Sequence, residues 1–331
     1  MVKKYLLTAT LAAFVFSGCE YKPKAVGRAR EVYIFTDHKD EIGFDISLSM
    51  ERQILTPQPG VEFFLEYRRG YEVTEHLRRH SLLIAGYEQD SAIRFMKNLY
   101  SALTCNDSFN LYTFKDLWAE GQTVMVFVAE DSLWMRVGLS AVRSNLHSGF
   151  KNMLLERMEG VTYGGGDDRK LTGEIEKYGF KLRIPEKWYL DERYAEDNFI
   201  WVHSYAPDRL VFIYWEDEER EDITRESILN LRDSLAHRFY EGDSLYRPLT
   251  TAGPYFFRGY QAVRIEGVWQ NDSLVSDGRV ITGGGPMIGF AFNAEGRFWM
   301  IDAMLFYPET PRKKIFWLNQ LEVILATFEP V

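Results

Sequence analysis

Gly179-Phe180-Lys181-Leu182-Arg183-Ile184-Pro185, with Trp188 three residues further on, is the stretch that decides the second half of this chain. Phe180, Leu182 and Ile184 alternate with Lys181 and Arg183, the period-two pattern of a strand with one buried face and one wet face. Pro185 stops it. Just upstream, Tyr163-Gly164-Gly165-Gly166-Asp167-Asp168 combines three glycines with little apolar content. It marks a linker over 163–171 between an N-terminal domain, 31–162, and a C-terminal domain, 172–331.

Working downstream, 199–205 and 210–215 read as strands with Pro207-Asp208 as the turn between them. Thr224 fits a helix N-cap, and Ile228, Leu231, Leu235 and Phe239 then share one helical face. Strands are expected over 261–269, 287–292 and 297–307. A last helix starts near Pro311, with Trp317, Leu321, Ile324 and Phe328 on one stripe. Working upstream, strands are expected at 31–35, 63–67, 81–85 and 123–128, and helices at 41–55, 91–103 and 132–158. In the longest helix Leu139, Val142, Leu146, Phe150 and Met153 form the apolar stripe. Strands alternating with helices predict an α/β (α+β) fold in two domains, the first ferredoxin-like.

At the N-terminus, Lys3 and Lys4 precede a 12-residue apolar run, Tyr5 to Phe16, and then Ser17-Gly18-Cys19. A bilayer span needs roughly 20 residues, so the run reads as a signal peptide over 1–18. Small residues ahead of a cysteine resemble a lipobox, which makes Cys19 the expected site of acylation, palmitate-type chains included. Glu20 to Arg30 then reads as a polar tether, 19–30. The expected location is the cell envelope, lipid-anchored, in the outer membrane facing the periplasm.

Of 331 residues, 46% are hydrophobic and 15% aromatic, which is ample for two cores. The net charge of −9 argues against a nucleic-acid partner. With Cys19 acylated, Cys105 has no partner for a disulfide and reads as an inert, semi-buried thiol.

The residues resemble a lipoprotein family frequent in Bacteroidota, domain of unknown function 4837. The resemblance rests on ordered pieces: Pro57-Gln58-Pro59, Ser81-Leu82-Leu83-Ile84, Asp116-Leu117-Trp118-Ala119 with Gln122, Tyr178-Gly179-Phe180 with Ile184-Pro185, and Phe199-Ile200-Trp201. It continues through Arg232-Asp233-Ser234, Glu266-Gly267-Val268-Trp269, Gly284-Gly285-Pro286, Tyr307-Pro308, Arg312-Lys313-Lys314, Leu321-Glu322 and Thr327-Phe328. Met287 stands where that family usually has phenylalanine. The resemblance implies export and lipidation and carries no activity. The C-terminal half also resembles the photosystem II subunit P-like fold, through Gly-Phe-x-Leu-x-Ile-Pro-x-x-Trp and a last helix ending in Thr-Phe. That implies an α/β/α sandwich on an antiparallel sheet, in a group whose members mostly bind proteins or assist assembly.

No nucleophile elbow, P-loop, dinucleotide fingerprint or paired Cys-x-x-Cys occurs. No cofactor and no metal are expected. His76 and His80 have helical ligand spacing, but Arg78 and Arg79 between them favour a solvated face. The acidic run 216–222 lacks an EF-hand glycine and reads as a loop. Gly283-Gly284-Gly285-Pro286 precedes a strand rather than a helix, so it reads as a bend or close backbone approach. Asp302 sits in an apolar run and needs a partner, which makes Arg232, Arg264, Glu266 and Asp302 a candidate polar network. Arg312, Lys313 and Lys314 place three cations in the first turn of the last helix, where the dipole disfavours them. With Tyr307 they form a candidate site for an anion or partner. The expected function is a non-enzymatic binding or assembly factor whose partners are the membrane, through its anchor, and a protein or envelope component. The alternative is an envelope enzyme acting through Asp302 or Glu266.

Overall fold

In the computed structural model, residues 22–54, 60–106, 108–240, 242–274, 280–308 and 311–331 are described. Cys19, the signal segment and Pro57-Gln58-Pro59 lie outside them.

The chain is a mixed α/β protein built on two sheets. The first contains β1 (Glu31–Phe35), β2 (Phe64–Arg68), β3 (Ser81–Tyr87), β4 (Phe109–Lys115) and β5 (Thr123–Ala129), in the order β2-β1-β3-β5-β4. All neighbours are parallel except the edge strand β4. α1 (Lys39–Met50), α3 (Ser132–Ala141) and α4 (Arg143–Thr162) cover one face, and α2 (Ser91–Leu99) the other. This corrects the ferredoxin-like expectation, whose sheet is antiparallel with helices on one face. Parallel strands need crossovers, and the crossovers cover both faces. β5 is buried at every position, so both of its faces are apolar. Strand β4, which alternates weakly, carries no clear signal in sequence.

The expected helix 132–158 is two helices broken at Val142. Gly138 lets α3 lie against the sheet, because a Cβ there would sit 2.5 Å from the Phe109 ring. α4 then turns away toward the second half. Residues 22–30, expected as a tether, run along the first sheet: Val26 bridges Arg79 and Arg30 is buried.

The second sheet is antiparallel. It contains β6 (Tyr189–Asp191), β7 (Phe199–Ser204), β8 (Asp208–Glu216), β9 (Thr251–Phe257), β10 (Tyr260–Leu274), β11 (Val280–Ala294) and β12 (Arg297–Phe306). The order is Ser244–Leu245, β10, β11, β12, β8, β7, β6, with β9 also pairing β10. α6 (Arg225–Phe239), capped by Thr224 as expected, covers one face. α7 (Pro311–Leu325) covers the other, so residues 178–331 form the expected α/β/α sandwich. The alternating stretch 180–184 lies outside the main sheet. Only Phe180–Lys181 pairs, with Glu329–Pro330, while Leu182 and Ile184 are buried in the α7-side core.

α7 is shared between the halves. Leu318, Leu321, Ile324 and Leu325 pack on the second sheet, while Phe316 and Val323 reach the core of the first. The glycine segment between the halves is also held. Tyr163 Oη donates to Arg183 O, Asp168 N to Ile184 O, and the Arg183 guanidinium lies 3.9 Å from the Tyr163 ring centre. Residues 169–171 belong to α5 (Arg169–Ile175). Among the described residues no helix is long and apolar enough to cross a membrane.

Candidate functional site

α4 and α7 lean together to leave a cleft of about 470 Å³ between the halves. Its walls are Phe64 at the start of β2, Leu154 and Met158 on α4, Tyr307 after β12, and Phe316 and Trp317 on α7. Arg28, Arg30 and Lys313 also line it, and no described carboxylate does. The lining is therefore apolar and cationic together. Arg30 is anchored: its Nε donates to Glu62 O at 2.7 Å, and its guanidinium lies 5.0 Å from the Phe64 ring centre. Arg28 meets Glu31 at 3.1 Å outside the lining, and Lys313 lies 6.0 Å over the Tyr307 ring.

Asn319, on the next turn of α7, also lines the cleft and is 1% exposed. Its Oδ1 accepts from Lys151 Nζ at 2.9 Å. An ammonium only donates, so the amide orientation is settled and Nδ2 is the other end. Nδ2 is buried and has no hydrogen-bond acceptor among the described residues.

Behind Asn319 lies an ion network that joins the halves. Lys151 Nζ is 2.7 Å from Glu62 Oε1 and 2.7 Å from Glu322 Oε2. His147 Nε2 meets Glu62 Oε2 at 2.5 Å, and Arg264 Nη2 meets Glu322 Oε1 at 2.8 Å. Burial pushes the Glu62 carboxyl up, but Lys151 and His147 outweigh it and hold the pKa down at about 2. Burial raises Glu322 as well, and Lys151 and Arg264 together bring it below the ordinary value. Burial acts to lower Lys151, and Glu322 and Glu62 outweigh it, so its pKa is raised. Lys151 and the two carboxylates hold one another charged.

Of the residues expected to bind an anion, Tyr307 and Lys313 line the cleft, and Lys314 does not. Lys314 is 4% exposed, and burial lowers its pKa. Of Arg312 only the helical backbone is described, and Glu309 and Thr310 lie outside the described residues. The candidate network of Arg232, Arg264, Glu266 and Asp302 is not one network. Alternation in β10 and β12 sends the two pairs to opposite faces of the sheet. Arg232 Nε meets Asp302 Oδ2 at 3.4 Å beneath α6, with both side chains buried. Burial raises the Asp302 pKa and Arg232 only partly offsets it. Arg264 pairs with Glu266 and Glu322 on the α7 side.

The other candidates find structural places. His76 and His80 follow a short 3-10 turn instead of sharing a helix, and His76 lies against the Tyr33 and Phe35 rings. Among the described residues no three His, Cys, Asp or Glu are arranged to hold a metal ion. Cys105 is buried, and burial pushes its thiol pKa up. In the acidic loop Glu216 pairs with Arg220 and Asp217 with Arg297. Gly285 is a close-approach position, since a Cβ there would sit 1.8 Å from Leu305 O.

Sequence reasoning missed Arg28, Arg30, Phe64 and Asn319. It also missed a polar cluster at the carboxyl ends of β1 and β3, where an open parallel sheet has its crevice. There His38 Nε2 meets Asp90 Oδ2 at 2.7 Å and Tyr87 Oη donates to Glu41 at 2.9 Å. Burial and the Glu41 carboxylate push the Tyr87 pKa up to about 12. These groups partner one another.

The class defined by fold and cleft is a two-sheet α/β protein with an apolar, cationic cleft on its shared helix. Residues 168–327 match the family model described as Domain of unknown function (DUF4837). No curated protein matches the chain. Solved structures similar to it include the following three. One is the solution structure of cyanobacterial PsbP (CyanoP) from Synechocystis sp. PCC 6803, at 14% identity, covering 47% of this chain and 88% of that one, TM-score 0.32. Another is a crystal structure from Bacteroides thetaiotaomicron VPI-5482, at 7% identity, covering 46% and 45%, TM-score 0.27. The third is a point mutant of the protein Mog1, at 8% identity, covering 46% and 91%, TM-score 0.30.

Proposed function

We propose that this protein is a lipid-anchored, non-enzymatic binding factor of the cell envelope. Cys19 carries the anchor in the outer membrane, facing the periplasm, and the cleft between α4 and α7 engages an anionic group on an envelope component. The observation that carries the reading is the lining of that cleft: four aromatic rings and the apolar side chains of Ala29, Leu154 and Met158, with Arg28, Arg30 and Lys313 as its charged groups. Apolar walls with a few convergent polar groups are the usual make-up of a binding site. The N-terminal sequence supports the anchor, since a short apolar run ending in Ser17-Gly18-Cys19 fits acylation better than spanning.

The test is a photoreactive residue at Phe316 in the full-length protein, in cells of the native host. An adduct should form with one envelope component. Reversing the rim charges, Arg28→Glu with Lys313→Glu, should abolish it. An adduct that persists unchanged after the charge reversal would refute the reading.

A further inference from the structure

We propose that the segment 22–30, with the loops at the amino ends of β3 and β5, forms a membrane-facing rim that binds anionic phospholipid headgroups. This rests on the lipid-anchor reading of Cys19 and adds what the anchored protein presents to the bilayer. Segment 22–30, Lys-Pro-Lys-Ala-Val-Gly-Arg-Ala-Arg, carries four cations and no acid in a chain of net charge −9. Arg30 is buried, and Lys22, Lys24 and Arg28 are exposed. The segment is held in place. Ala25 N donates to Glu120 O at 2.9 Å and Val26 N to Arg78 O at 2.7 Å, so it passes the start of β5 and then of β3 before it enters β1.

Chain length brings this rim to the bilayer. Lys22 is three residues from Cys19, a reach of at most about 11 Å at ~3.6 Å per residue. An acylated Cys19 therefore holds Lys22 close to the headgroups, where fixed charges are felt over a Debye length of ~8 Å at physiological salt. The rim's charges suit that place. Lys22 Nζ donates to Asp116 O at 2.7 Å, and the exposed Arg78 donates through Nη2 to Lys24 O at 3.3 Å. Among the described residues none of Lys22, Lys24 and Arg78 forms an ion pair. Arg28 pairs with Glu31. The acids beside the segment are Glu120 and Asp116, and Asp116 Oδ1 accepts from Gly121 N and Gln122 N. Three exposed cations with carbonyls or nothing for partners, fixed next to the anchor, are complementary to anionic headgroups.

The test uses the acylated full-length protein in nanodiscs of equimolar phosphatidylglycerol and phosphatidylcholine, with a photoreactive residue in place of Val26, which is 43% exposed between Lys24 and Arg28. Mass spectrometry should find lipid adducts, with phosphatidylglycerol exceeding phosphatidylcholine roughly threefold or more. The same residue in place of Leu133, 58% exposed just past the carboxyl end of β5 and so at the opposite end of the sheet, should give none. Lys22→Glu with Lys24→Glu and Arg78→Glu should remove the enrichment while detergent-phase partitioning stays unchanged, and added salt should lower it in the wild-type sequence. Equal adducts with the two lipids, or an enrichment indifferent to both the charge reversal and salt, would overturn headgroup binding. No lipid adduct at Val26, or as much at Leu133, in a protein that stays on the disc would overturn the rim and leave the anchor standing. A protein found without acyl chains would remove both together.

Discussion

Replacing Lys151 with methionine tests the junction between the halves most directly. The ammonium contacts Glu62, Glu322 and Asn319, and its side chain is 12% exposed. Methionine keeps the four-atom stem, lacks the terminal ammonium and removes all three contacts. Glu62 and Glu322 are then left facing one another without the cation between them. The Glu62 pKa is held at about 2 against an ordinary 4.5, a difference of about 3 kcal/mol in favour of the charged form. Removing one member of a buried ion network costs about 3–5 kcal/mol, because the remaining charges are stranded. The expected loss at pH 7 is in that range, read by urea denaturation followed by tryptophan fluorescence. The pH dependence gives a second readout. In the native protein the depressed Glu62 pKa contributes stability that is fully present above pH 4.5 and lost as pH falls toward 2. In the variant both carboxyls lose the lowering that Lys151 supplies, so the gap to wild type narrows as pH falls from 4.5 toward 2. A loss below about 1 kcal/mol at pH 7, or a gap that widens as pH falls from 4.5 toward 2, would refute this account of the network.

Four further predictions follow different parts of the structure. Asp302→Leu should cost about 3–5 kcal/mol by stranding Arg232, and adding Arg232→Met should recover most of it; equal urea midpoints for single and double variants would contradict the pairing. Gly285→Ala places a Cβ 1.8 Å from Leu305 O and should cost about 2 kcal/mol or more, whereas Gly253→Ala meets nothing within 4 Å and should cost under about 1 kcal/mol. Thr224→Ala removes the cap on Ser227 N and should destabilise by about 1 kcal/mol, and an unchanged urea midpoint would count against the capping role. Cys19→Ser should abolish acylation and shift the protein out of the detergent phase; unchanged phase partitioning would sink the lipoprotein proposal.

Local chemistry made much of the fold legible. The Thr224 cap, Pro311 at the start of α7, and the stripes of α4 and α7 each depend on residues within a few positions of one another. The α3–α4 break was not legible, because Val142 continues the apolar stripe and the break answers to Gly138 meeting Phe109 and Phe127 across the sheet. Strand 180–184 shows the same limit. Its alternation correctly marks a buried face at Phe180, Leu182 and Ile184, but its pairing partner is the far C-terminus.

By itself the sequence determined the mixed α/β class, the helix stripes and the cationic first turn of α7. Tertiary structure alone decided which charges meet. Alternation placed Arg264 and Asp302 in strands, and only the packed sheet separated them onto opposite faces. Asn319 lines the cleft and meets Lys151, 168 positions away. Periodicity reports which face of an element is dry, since that depends on neighbours a turn or a pleat away. A buried charge needs a partner wherever the chain can bring one, and that choice is made only when the elements pack.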